Sequence, residues 1–267
     1  MNRCAVIATH HKTGTVWMRS VFQRIAKELG LRCVLLDRKI VPARSELSAP
    51  VIALDDHSEF VNCPWLPDLP DARLLHLIRD PRDVIISAAH YHLTAKEPWL
   101  HWRRKEFGGL SYQQAIARQP TDMARYLFEM SNSARNTIEG MRQWDFGRPN
   151  ALEYKYEELM GESGLPLMEY AFRHLGFEAS EIATCVSVFR QSMLSNSPDT
   201  DRKGHVRSGV VQQWRMTYNL TLAEAFIAQF GNVLSQLGYE PDNSWAESLP
   251  GCVSQSTHGE EVLSGSP

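Results

Sequence analysis

The chain of 267 residues lacks the patterns that disulfide pairing or zinc binding would need. Its five cysteines, Cys4, Cys33, Cys63, Cys185 and Cys252, are odd in number, scattered, and include no C-x-x-C pair. Neither a disulfide framework nor a metal cluster is expected. Long apolar runs are also missing: nothing approaches the ~18 consecutive apolar residues of a membrane span. No signal peptide is expected, because Arg3 is followed by only a short apolar run before Thr9, His10 and His11. Charge of one sign is scarce, and a net charge of −3 gives no general argument for nucleic-acid binding. There is no internal repeat. The phosphate loop of nucleoside triphosphatases, G-x-x-x-x-G-K-S/T, is absent too. What these absences leave is a soluble, reduced protein, most simply a cytoplasmic one, with 43% hydrophobic residues to build a core.

What is present is alternation. Short apolar runs predict strands at Cys4–Ala8, Arg32–Leu36, Pro50–Leu54, Arg73–Ile78 and Ala151–Tyr156. Helical spacing predicts helices at Thr15–Leu29, Pro81–His92, Ala124–Gln143, Gly164–Leu175 and Leu222–Leu237. This order implies a single α/β domain with a central, mostly parallel sheet flanked by helices. The domain is expected to span residues 1–247, and the Ser- and Gly-rich residues 248–267 are expected to form a disordered tail. No dimer motif stands out, and the oligomeric state stays open.

In open parallel sheets, ligands gather outside the carboxyl ends of the strands. The first predicted strand ends in His10-His11-Lys12-Thr13-Gly14-Thr15-Val16-Trp17 and runs straight into a helix. Backbone N–H groups at a helix start carry partial positive charge, so a lysine and two hydroxyls there suit a phosphate or sulfate. Lys12 precedes the only glycine of this turn, unlike the triphosphatase loop. The third strand ends in Asp55-Asp56-His57 and the fifth in Tyr156-Glu157. The fourth runs into Arg79-Asp80-Pro81-Arg82-Asp83, with Ser87 two turns into the next helix. There Asp80 is a natural N-cap and Pro81 fits the first helical position. Arg79 lies just outside, where a guanidinium fork can hold a phosphate or pair with Asp80 or Asp83.

Together these segments resemble the sulfotransferases that use 3′-phosphoadenosine 5′-phosphosulfate (PAPS). Lys12 to Trp17 is similar to the family's 5′-phosphosulfate loop, P-K-S/T-G-S/T-S/T-W. Arg79 to Ser87 is similar to its 3′-phosphate segment, R-x-x-K/R-D-x-x-x-S. Arg207-Ser208-Gly209-Val210-Val211-Gln212-Gln213-Trp214-Arg215 resembles its late loop, R-K-G-x-x-G-D/Q-W-K/R. The chain departs from the pattern at four places. His11 stands for proline, Val16 for a hydroxyl residue, Ser208 for lysine and Gln212 for the second glycine. Arg202-Lys203-Gly204 is an alternative late loop; the Arg207 register is preferred because it alone aligns Trp214 and Arg215.

The resemblance implies a P-loop-like nucleotide-binding core and a donor site of Lys12, Thr13, Gly14, Thr15, Val16, Trp17, Arg79, Ser87, Tyr156, Arg207, Ser208 and Gly209. Trp17 would stack on adenine, Tyr156 would contact it, and Phe189 is a further candidate; core packing is the alternative for each aromatic. Lys12 would meet charge on the leaving oxygen and His57 would be the catalytic base, with no metal required. Asp55 stands where the family often has lysine; Asp55 or Asp56 orients His57 or itself serves as base. His10, His11, His90 and His92 are rivals, and His90 and His92 are also candidates to touch the acceptor. The acceptor would be a hydroxyl compound, with a carbohydrate or glycolipid slightly favoured over a small hydroxylated metabolite. It would meet a helical region at about residues 91–150, centred on Trp99, His101, Trp102, Arg103 and Arg104. PAP, the adenosine 3′,5′-bisphosphate, would be the product. Two other functions remain open: a nucleotide-dependent kinase, and a nucleotide-binding protein without turnover.

Overall fold

Near-continuous burial marks the three central strands. Every residue of β1 (Cys4–Thr9) is buried, which is the mark of a parallel strand covered on both faces. The helix α1 (Thr15–Leu29) follows and buries Trp17, Met18, Val21, Phe22, Ile25 and Ala26 along one stripe. It ends at Gly30, whose φ of 64° is the left-handed C-cap that glycine adopts without strain. The computed structural model describes residues 1, 3–36, 47, 50–58, 72–195 and 211–249. Arg202–Gly204, Arg207, Ser208, Gly209 and positions 250–267 therefore lie outside the described residues.

The remaining strands are β2 (Arg32–Leu35), β3 (Val51–Asp55), β4 (Ala72–Ile78) and β5 (Ala151–Lys155), and all pairs are parallel. Their order is β2-β3-β1-β4-β5. The chain first leaves β1 toward one edge, then crosses it to reach β4 on the other side. That reversal opens a crevice at the carboxyl ends of β3, β1 and β4, where the loop residues collect. Successive β1 residues alternate between two cores: Ala5 and Ile7 join the one holding Trp17, Phe22 and Phe172, whereas Cys4, Val6 and Ala8 pack with Leu74 and Trp144.

The helices that follow β4 are α2 (Pro81–His92), α3 (Tyr112–Ala117), α4 (Asp122–Ser131) and α5 (Ser133–Arg142). After β5 come α6 (Tyr156–Met160), α7 (Gly164–His174) and α8 (Ala179–Ser195). The last group is α9 (Trp214–Thr217), α10 (Leu220–Phe230) and α11 (Val233–Gln236). A separate apolar core joins α2, α4, α5, α9 and α10 through Ile85, Tyr126, Ile138, Trp214 and Phe226. The helix starts obey local chemistry: the Asp80 side chain accepts from Arg82 N–H, and Ser111 and Gln114 form a reciprocal capping box.

Two predicted helices are each two helices. The run expected at Ala124–Gln143 breaks at Asn132, whose φ of −128° and ψ of −115° lie far from helical values. There its side chain donates to the Phe128 carbonyl at 2.7 Å, and Ser133 N–H goes to the Tyr112 hydroxyl at 3.1 Å. The run expected at Leu222–Leu237 breaks at Gly231, with φ of 60°. Helix α8 was not anticipated, although Ile182, Cys185, Val188 and Phe189 recur at helical spacing and are buried. Leu249 is packed with Trp245 and Ala246, so the body reaches slightly past residue 247.

Candidate active site

The turn after β1 holds itself together. Thr13 Oγ1 donates to the His10 carbonyl and accepts from His10 N–H, both at 2.9 Å, and Thr13 N–H reaches the same carbonyl at 3.0 Å. Thr15 Oγ1 also donates to the His10 carbonyl, at 2.8 Å, and accepts from Thr9 Oγ1 at 3.0 Å. The Thr13 and Thr15 side chains thus hold the loop's shape rather than reaching out of it. The donors left for an anion are backbone N–H groups and cations. First-turn N–H groups have no acceptor within a helix. At α1 no side chain caps them and no acidic residue lies in the first turn.

Lys12 and Gly14 carry the loop's unusual backbone. Lys12 has φ of 67° and Gly14 has φ of 110°. A Cβ at Gly14 would lie 3.1 Å from both Leu77 Cδ2 and Tyr156 Cδ2. Gly14→Ala is expected to lower stability by about 1–3 kcal/mol from backbone strain alone, read as a lower urea midpoint with unchanged slope. Val16, where the family pattern has a hydroxyl, is largely exposed.

Lys12 Nζ sits 3.7 Å from the centre of the Tyr91 ring. Burial, and then repulsion from Arg79, brings its pKa down to about 8, with Glu97 and Glu129 pulling the other way. Arg79, at the end of β4, is buried yet loosely held. Its two hydrogen bonds, to the Lys12 carbonyl at 3.3 Å and Asp83 Oδ2 at 3.4 Å, are long, and its buried Nε has no partner among the described residues. Its guanidinium lies 4.7 Å from the Tyr156 ring centre. Ser87, on α2, is half-buried.

Two neighbours of Arg79 brace this end of the site. Arg82 is engaged by other partners. It bonds Asp80 at 2.8 Å and Glu240 at 2.7 Å, with its guanidinium 3.4 Å from the Trp214 ring centre and 4.7 Å from that of Trp245. Asp83 Oδ1 accepts Trp214 N–H at 3.0 Å. Burial raises the Asp83 pKa and Arg79 opposes the rise.

Trp17, Tyr156 and Phe189 are brought together and are all nearly inaccessible. Trp17 meets Tyr156 edge-on at 5.8 Å and lies 5.3 Å from Phe189, while its Nε1–H donates to Ser192 Oγ at 3.0 Å. These aromatics belong to the core between α1 and α8. His57 stands exposed just beyond β3. The next residue, Ser58, has φ of 52° and donates from Oγ to the Thr9 carbonyl at 2.9 Å, tying this turn to β1. Asp56 is held by Arg19, so it is not an uncommitted base.

Sequence reading missed two buried relays that begin at the adjacent histidines. His10 Nε2 lies 2.8 Å from His76 Nε2, and His76 Nδ1 pairs with Glu153. Trp144 stacks on His76 at 3.6 Å and donates to Glu153 at 2.5 Å. Burial pushes His76 down to about 3 and Glu153 up to about 7. In the second relay His11 Nε2 lies 3.1 Å from His92 Nε2, and His92 Nδ1 lies 2.6 Å from Glu129 Oε1. His92 and Glu129 are 0% exposed, which corrects the expectation that His92 touches an acceptor. His90 is instead 3.1 Å from the Tyr126 hydroxyl. His76 lies inside a buried strand run, and Glu153 and Glu129 carry no local motif; only the topology reveals them.

The expected acceptor segment divides. Leu100 and Tyr112 are buried, and Trp99 donates to Glu97 Oε2 at 2.7 Å, as the Tyr91 hydroxyl does to Oε1 at 2.8 Å. Trp102 is 61% exposed, and His101 and Arg103 are exposed beside it. Arg104 lies 5.6 Å from the Trp99 ring centre. Among the described residues no helix is long and apolar enough to cross a membrane, and no group of three His, Cys, Asp or Glu is placed to hold a metal.

No protein-family model matches the chain. No curated protein matches its sequence. Solved structures do match its fold. The mouse sulfotransferase SULT7A1 complexed with PAP is 18% identical with a TM-score of 0.56, covering 88% of each chain. Retinol dehydratase in complex with androsterone and inactive cofactor PAP is 14% identical with a TM-score of 0.52, covering 86% of this chain and 80% of that one. The five-stranded parallel sheet and its helices are therefore the sulfotransferase fold.

Proposed function

We propose that this chain, built on the sulfotransferase fold, moves a sulfuryl group from PAPS to a hydroxyl acceptor. The observation that carries the reading is the uncapped start of α1, flanked by Lys12 and by an Arg79 with its buried Nε unpartnered. A strand-to-helix turn with backbone donors and two cations suits an anionic donor such as a phosphosulfate.

In this reading the N–H groups of Gly14, Thr15, Val16 and Trp17, with Lys12, hold the 5′-phosphosulfate. Arg79 and Ser87 hold the 3′-phosphate, joined by Arg207, Ser208 and Gly209 on the strength of the family pattern. Trp17 and Tyr156 border the adenine. The acceptor oxygen attacks sulfur in line; a new S–O bond forms as the bond from sulfur to the 5′-phosphate oxygen breaks. The electron pair leaves with PAP, and Lys12 meets the charge growing on that oxygen. The acceptor proton goes to His57. No metal enters the step. Exposed Trp102 with Arg103 and Arg104 nearby suits a carbohydrate or glycolipid hydroxyl; a small hydroxylated metabolite is the other class, since a structural neighbour holds androsterone.

The test is thermal unfolding with PAP, against AMP and magnesium ATP. A ligand at 100 times its Kd adds about 2.7 kcal/mol of stability. Selective stabilisation by PAP is expected, and Arg79→Ala should weaken binding roughly 10–100-fold, as loss of charge-assisted hydrogen bonds does. A shift with magnesium ATP and none with PAP would replace the sulfotransferase reading with a kinase. Tight PAP binding with no transfer to any acceptor screened would favour a binding protein.

A further inference from the structure

We infer that Glu129, His92 and His11 form a proton-holding triad at the transfer site, in which His11 takes up a proton beside the bound donor. The inference rests on the sulfotransferase reading and adds to it a second proton acceptor besides His57. His92 and Glu129 are positioning residues that act through His11.

In the proposed triad both imidazoles are neutral before a ligand binds, and hydrogen-bond directions then set their tautomers. A carboxylate only accepts, so the 2.6 Å contact to Glu129 requires the proton on His92 Nδ1. Neutral His92 then offers a lone pair at Nε2, and the 3.1 Å contact requires His11 to donate from its own Nε2. The lone pair of His11 is left on Nδ1, for which no partner is found among the described residues, one position before Lys12. A proton arriving at Nδ1 lets His11 pass its Nε2 proton to His92, and the imidazolium so formed lies against the Glu129 carboxylate. The two rings are parallel within 3° with centroids 5.2 Å apart.

Burial argues that the carboxylate serves more than packing. The side chains of His92 and Glu129 have no exposure at all, and besides His92 the carboxylate meets the Tyr112 hydroxyl, whose own proton it holds on. A buried carboxylate whose partners are all neutral is costly, and a positive charge on the adjacent imidazole offsets that cost. The groups facing the relay come from several elements. Lys12 lies beside His11, His57 approaches from the end of β3, and Tyr91 lies on α2 with its ring 5.8 Å from that of His11. Tyr112 packs against His92 at 5.3 Å, and Trp99 at 5.1 Å. Glu129 sits behind on α4. Without a ligand, burial together with His92, Lys12 and His57 keeps His11 neutral, its pKa well below the ordinary 6.5. A bisphosphate in the loop reverses that balance by placing anionic charge beside it. In transfer, the proton leaving the acceptor oxygen is then held by His57 or by this relay, and returns to solvent after PAP leaves.

The experiment is imidazole ¹⁵N NMR on the full chain at neutral pH, with and without saturating PAP. Ligand-free protein should show His92 protonated on Nδ1 and His11 on Nε2. Adding PAP should produce the signature of one protonated imidazole in the His11–His92 pair. That signal should be lost in Glu129→Gln, which keeps shape and removes charge. It should also be lost in His11→Gln, a change at a half-buried position that guards against misfolding of the first variant. Protonation by PAP that is the same in Glu129→Gln as in the parent, or a neutral His92 carrying its proton on Nε2 in the ligand-free chain, overturns the triad. Failure of the sulfotransferase reading looks different: PAP would neither stabilise the parent chain nor move any histidine signal, and the triad's role in transfer would fall with it.

Discussion

Replacing His57 with alanine is expected to lower sulfuryl transfer by about 10²–10⁴, the usual worth of a positioned general base. PAP binding should stay close to that of the parent, because the anion contacts assigned here come from Lys12, Arg79 and the start of α1. His57 stands beyond β3, on a turn that Ser58 pins to β1 through the Thr9 carbonyl at 2.9 Å. The rival carboxylate Asp56 is engaged by Arg19. The measurement is kcat and the PAP dissociation constant, side by side, with an acceptor found by screening. Equal turnover in His57→Ala and parent would move the base to another group, His11 first.

Lys12→Ala should slow transfer by about 10²–10³, the loss typical of removing one donor that stabilises transition-state charge. It also has a pH signature. Burial and Arg79 set the Lys12 pKa at about 8, against 10.5 for a free lysine. The ammonium is therefore intact below pH 8 and is lost as pH rises through it, so PAP affinity should fall above pH 8. Lys12→Arg should remove that fall, because a guanidinium keeps its proton. Linkage gives ligand-free stability the opposite sign. Between pH 8 and 10.5 the unfolded chain binds more protons at this position, so the free fold gains stability as pH rises through that window. Calorimetric titration across pH 8 is the check, and a flat affinity there would take Lys12 out of the anion site.

Most of the scaffold was legible because its signals are local. Short, largely apolar runs located the five strands found among the described residues to within a residue or so, and Asp80-Pro81 announced the start of α2. The helix breaks were less legible. Asn132 sits in an otherwise periodic stretch, and its break depends on Tyr112, which is distant in sequence. The placement of Lys12, Arg79 and His57 at neighbouring strand ends followed from the parallel-sheet rule. The relays did not follow, because His11, His92 and Glu129 come from a loop and two helices that meet only once the sheet reverses direction. Sequence also overstated the threonines: the type of side chain suggested anion ligands, but the nearest acceptor to Thr13 and Thr15 is the carbonyl of His10.

The bond from Trp214 N–H to Asp83 bears on how the protein can be divided. The loop, both cations, His57 and both relays all lie before residue 196, which makes the first three-quarters of the chain look like a transplantable module. It is not one. Asp83, the counter-ion of Arg79, would lose its backbone partner, and Arg82 would lose Glu240 and the indoles of Trp214 and Trp245. A fragment cut there would keep its charged groups and lose what aims them. The smallest portion fit for grafting, splitting or fusing therefore extends through Leu249.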